Sequence, residues 1–102
     1  MSKTKDFAAA IRAMMAKDPA LAEAVEKEAV DANVAAMIYR ARKAARISQA
    51  ELARRVGTTQ SVISRIEDAD YDGHSLTMLH RIAAALGQTL KVEFRENAPA
   101  AP

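Results

Sequence analysis

The sequence predicts a mainly α-helical domain closed by one C-terminal β-strand. Three observations carry this. Apolar residues recur at helical spacing along most of the chain. Alanine is abundant while glycine and proline are few, at three each in 102 residues. One segment, "TLKVEFR", alternates strictly, with Leu90, Val92 and Phe94 set against Lys91, Glu93 and Arg95. The length suits one compact domain with an appendage, burying roughly two-thirds of its unfolded surface.

The first helix is expected over residues 5–17, with Phe7, Ile11, Met14 and Met15 on one side. Asp18-Pro19 stops it and starts another, because Asp caps well and Pro suits a first helical position. Leu21, Val25 and Val30 mark the next stripe, and Val34, Met37, Ile38 and Ala41 continue it to about Ala45. "SQAE" then sets Ser48 and Glu51 at capping-box spacing, opening a helix that runs to Val56 and stops at Gly57.

"GTTQSVISR" is ambiguous, since Thr, Val and Ile favour strands. At about 100° per residue, Val62, Ile63 and Ile66 share one face, and Gln60, Ser61, Ser64, Arg65 and Asp68 the other. Strand alternation fails, because the adjacent Val62 and Ile63 would point to opposite sides. A helix over residues 60–68, capped by Thr59, is therefore expected. Ser75 caps a last helix with Leu76, Leu79, Ile82, Ala83 and Leu86 inward, and Gly87 stops it. The strand over residues 89–95 is the only convincing one, so it needs a partner, either a second copy of itself or an extended N-terminal piece. An antiparallel copy of itself, in a homodimer with Leu90, Val92 and Phe94 at the interface, is the simplest supply of hydrogen bonds. The tail over residues 96–102 is expected to lack structure.

Charge is unevenly spread. Residues 40–65 hold seven basic side chains and one acid, while the flanks are net acidic. A basic middle calls for an anionic partner. There is no cysteine, which excludes disulfides and thiol catalysis and fits a cytoplasmic protein. No segment reads as a membrane span or signal peptide. "DADYDG" imitates the start of a calcium loop, but the twelfth position is Leu79, so no metal is expected. His74 and His80 have no partners at ligand or triad spacing and read as surface residues. No cofactor and no enzyme activity are expected.

Two short helices joined by a tight glycine turn, the second with a bare polar face, make a helix-turn-helix. From Gln49 to about Asp68, with Ala53, Gly57, Ile63 and Ile66 in place, the sequence resembles the Cro/repressor-type (XRE) helix-turn-helix proteins. The resemblance covers about residues 34–86 and implies a lambda-repressor-like bundle over residues 33–88. Physical chemistry assigns base contacts to Thr59, Gln60, Ser61, Ser64 and Arg65. Phosphate contacts fall to Lys43, Arg46, Arg54 and Arg55. By resemblance, Gln49 clamps a phosphate, and Arg42 pairs with Glu67 to lock two helices. The sequence departs from the family at Arg46 and Ala69, where glycines are usual, so both turns are expected to need a non-glycine residue at positive φ. The DNA site expected for a dimer is an inverted repeat.

Residues 1–32 exceed what DNA binding needs. Residues 18–31 carry five acids and one lysine, and a Met-containing stripe beside an acidic side suits a basic partner. With this extension and the "LKVEF" segment, the chain resembles the HigA-type antitoxins (the HigA2 branch in particular). That resemblance implies autoregulation of an operon and neutralisation of a HigB-like messenger-RNA-cleaving toxin. The toxin-binding anchors would be Phe7, Ile11, Met14, Leu21 and Val25, on an extension either helical or disordered before binding. The alternative is an XRE-type repressor without a toxin.

Overall fold

The computed structural model describes residues 3–97, and among them five helices and no strand. Helix α1 spans Lys3–Lys17, α2 Pro19–Ala44, α3 Gln49–Val56, α4 Gln60–Ile66 and α5 Leu76–Ala85. α1 begins two residues before its expected start, and the predicted starts of α2 to α5 hold in detail. Asp18 accepts from the amides of Ala20 and Leu21, and Pro19 is the first residue of α2. Ser48, Thr59 and Ser75 each accept one amide at the head of α3, α4 and α5.

The two apolar stripes expected between residues 19 and 45 lie on one unbroken helix of 26 residues. No Gly or Pro interrupts it after Pro19, and its alanines and charged residues favour helix throughout. The expected boundary between residues 32 and 33 therefore falls inside a helix. α1 folds back on α2. Ala8, Ile11 and Met15 of α1 and Leu21, Ala22 and Val25 of α2 are half-buried, at spacings that make one stripe on each helix. Among the described residues the extension is thus a helical hairpin. The molecule extends 48 Å along its long axis against 28 and 25 Å across.

The C-terminal half of α2 turns Ala35, Ile38 and Arg42 inward. Ile38 joins Leu52, Ala53, Ile63, Ile66 and Ile82 in one buried core. α3 packs on both α4 and α5. Leu76, expected inside, is 62% exposed at the start of α5, while Met78 packs on the core instead.

Two turns place α3 and α4. α2 ends with Arg46 at φ 60°, the one non-glycine residue at positive φ among those described. The Arg46 amide donates to the Lys43 carbonyl at 3.0 Å and the Ile47 amide to the Arg42 carbonyl at 3.4 Å, a left-handed helix cap usually built on glycine. Gly57, at φ 86°, ends α3 with its amide bonded to the Ala53 carbonyl at 2.9 Å. Ala69 does not adopt positive φ, contrary to expectation. Asp68 turns the chain instead, its carboxylate accepting from the Asp70 amide at 2.8 Å and its carbonyl from the Tyr71 amide at 3.0 Å.

The strand expected over residues 89–95 is corrected. Residues 88–97 form no strand in the single chain. Alternation creates an apolar face but supplies no hydrogen-bond partner, and no second strand forms among the described residues. Residues 98–102, in the tail expected to lack structure, lie outside the described residues.

Candidate nucleic-acid interface

α4 presents the predicted face. Ile63 and Ile66 are buried and Val62 half-buried, while Gln60, Ser61, Ser64 and Arg65 are exposed. Gln49, Gln60, Ser61, Ser64, Arg65 and Asp68 line one open depression. A second depression, lined by Lys43, Arg46, Ser48, Gln49 and Gln60, adjoins it through the two shared glutamines. The surface therefore runs without a break from hydrogen-bonding side chains on α4 to cations and free amides at the head of α3. The first can read base edges, and the second can hold a phosphate. Asp68 bounds the surface with a negative charge, which would repel a phosphate placed there.

The Thr59 hydroxyl is committed to the cap, accepting from the Val62 amide at 3.2 Å, which leaves its methyl for apolar contact. Gln49 donates from Nε2 to Glu67 Oε1 at 3.1 Å. Glu67 also accepts from Arg42 Nε at 2.7 Å and Nη2 at 3.0 Å, and the third arginine nitrogen donates to the Ile47 carbonyl at 2.8 Å. The Arg42 and Glu67 side chains are only 8% and 4% exposed. The pair implied by resemblance is thus present, and it also orients Gln49. This last link was missed in the sequence: Gln49 and Glu67 lie 18 residues apart, with no spacing signal to connect them.

Arg54 and Arg55 lie elsewhere. Arg54 is bidentate to Glu51 at 2.6 and 2.9 Å, and Arg55 donates to the same carboxylate at 2.9 Å. Arg55 lines a depression with His80 and Arg81 beside α5, away from Gln60 and Arg65. The reciprocal half of the capping box does not form either, since Glu51 turns to these two guanidiniums, whose charge-assisted bonds are stronger than one to the Ser48 amide. The hydrogen bonds from Arg54 and then Arg55 pull the Glu51 carboxyl down to about 2.

His74 is not the free surface residue expected. Its Nε2 lies 2.8 Å from the Ile66 carbonyl, and its ring meets Tyr71 edge-on at 4.9 Å. It fastens the α4–α5 connection to the end of α4. Of the five expected anchors on the extension, Phe7 and Met14 are 68% and 54% exposed, whereas Ile11, Leu21 and Val25 are half-buried. Among the described residues no helix is long and apolar enough to cross a membrane.

Two helices set by a left-handed glycine turn, with one polar face bare, define a DNA-binding helix-turn-helix. The sequence profile of the Helix-turn-helix family matches residues 38–92, more than half of the chain, and the chain belongs to that family. It is an XRE-type, sequence-specific DNA-binding regulator. No curated protein and no solved structure matches it.

Proposed function

We propose that this protein is a dimeric repressor that binds an inverted-repeat operator in its own promoter, and that its N-terminal hairpin binds and neutralises a cognate messenger-RNA-cleaving toxin. It acts in the cytoplasm as a binding protein with no catalytic role. The observation carrying the DNA half is the continuous surface from Arg65 through Gln60 and Gln49 to Arg46 and Lys43. Arg65 is exposed and suited to a bidentate bond with guanine. Replacing Arg65 with Ala is expected to cost about 1–3 kcal/mol on the operator and to relax preference at one base pair. Equal weakening on every sequence in the same titration would reassign Arg65 to phosphate.

The dimer is supported by residues 88–97. Val92 is 65% and Phe94 104% exposed in a segment of alternating apolar and charged residues, which can pair as a strand with a second copy. The toxin-binding role is supported by the exposed Phe7 and Met14 beside an acidic run, and by the resemblance to HigA-type antitoxins. The test compares tagged full-length protein with a chain starting at Asn33. Both should bind operator DNA. Only the full-length form should retain a small basic partner and suppress its cleavage of messenger RNA. If neither form retains such a partner, the chain is a repressor without a toxin.

A further inference from the structure

Beside the C-terminal segment lies a mostly apolar groove of about 240 Å³ between α2 and α5, with Met37, Ile38, Leu79, Ile82 and Leu86 in its walls and Leu90 at its edge. Alternation places Val92 and Phe94 on Leu90's side of the segment. Phe94 is wholly exposed, so each copy offers an uncovered groove and an uncovered aromatic side chain a few residues apart.

Resting on the dimer proposed above, we infer that a second copy docks on this groove in a single register. The two segments run antiparallel about a two-fold axis through Val92, and Leu90 of each copy faces the partner's Phe94. Symmetry restricts the choices. A two-fold axis normal to a two-stranded ribbon maps each face onto itself, so it must pass through a residue opposed to its own copy. With the axis on Lys91, that lysine meets itself. With the axis on Glu93, that glutamate meets itself and Lys91 meets the partner's Arg95. With the axis on Phe94, Val92 is set against the partner's Glu96. With the axis on Leu90, Phe94 is set against Leu86, which lies at the end of α5.

Only the Val92 axis puts apolar against apolar on one face and opposite charges on the other. Leu90 pairs with the partner's Phe94, Val92 with the partner's Val92, and Lys91 with the partner's Glu93, the outer pairs twice each. Like charges directly opposed destabilise a ribbon, and opposite charges and β-branched or aromatic pairs stabilise it. Within one chain Glu93 already gathers Lys91 at 3.2 Å and Arg95 at 2.9 Å, all exposed and therefore worth little. In the dimer the same carboxylate gains a cation across the ribbon. The partner's Phe94, set over Leu90, covers the mouth of the groove.

The absence of native cysteine makes the register directly readable. In the full chain, Lys91→Cys, Val92→Cys and Glu93→Cys are oxidised separately, at concentrations where sedimentation shows a dimer. A self-opposed pair lies about 4.5–5.5 Å apart at Cα, within disulfide reach, whereas residues 91 and 93 lie beyond about 7 Å from their own copies. Val92→Cys alone should crosslink efficiently. Independently, Lys91→Glu should weaken dimerisation about tenfold, and Lys91→Glu with Glu93→Lys should restore it. A dimer that crosslinks at residue 91 or 93, or that the double exchange fails to restore, overturns the register and leaves the dimer standing. A single-chain mass for the unmodified protein at all concentrations removes the dimer and the register together.

Discussion

At Arg46, folding and the proposed phosphate contact pull in opposite directions. Its φ of 60° strains an L-residue, yet its side chain lines the surface assigned to phosphate. Arg46→Gly should raise the unfolding free energy by about 0.5–1 kcal/mol, net of the freedom glycine adds to the unfolded chain. The same variant should bind operator more weakly and with a salt slope reduced by about 1. Chemical denaturation and a salt titration read the two effects separately. Arg42 and Glu67 behave differently, because both are buried. Arg42→Ala leaves an unpaired carboxylate and should cost about 3–5 kcal/mol, while Arg42→Met with Glu67→Leu should recover most of that. The recovered protein should still bind operator poorly, since Gln49 has lost the acceptor that orients it. The strained arginine was legible in the sequence, because a turn needing glycine lacked one. The Gln49 link was not, because it depends on where two helices meet.

Among elements, α3 is the one whose polar side chains were read least well. The caps, the turn glycine and the buried face of α4 follow from local spacing and hold in the structure. The fate of Glu51 does not, because a capping box and two downstream arginines compete for one carboxylate. That competition has a pH signature. The folded Glu51 carboxyl sits at about 2, below its ordinary value near 4.5, so its contribution is complete above about 4.5 and is lost as pH falls toward 2. Thermal unfolding should therefore show a pH-dependent loss of stability in this window that Glu51→Gln reduces, with little difference between the two proteins' pH dependence above it. The C-terminal segment marks the other limit. Its alternation was plain, yet a strand is a property of two segments and one chain supplies only one.

At the scale of the whole molecule, the proposed two-fold dimer would present two copies of α4, and their separation should match half-sites about 34 Å apart. Inserting about 5 bp between the half-sites turns one to the opposite side of the duplex. Binding should fall to that of an isolated half-site, as a gel-shift titration would show. The long α2 adds a constraint of another kind. It is a shaft of about 39 Å, with the hairpin at one end and the DNA-binding bundle at the other. Along such a shaft, residue count is an angle. One residue inserted near the exposed Val30 would advance the hairpin by only about 1.5 Å but swing it by about 100°. Phe7 and Met14 would then point in a different direction relative to the bundle, and the depression that Lys27, Asp31 and Ala32 share with Ala69, Asp70 and Asp72 would be rebuilt. The length of α2 thus sets the azimuth of the hairpin about the DNA-binding bundle.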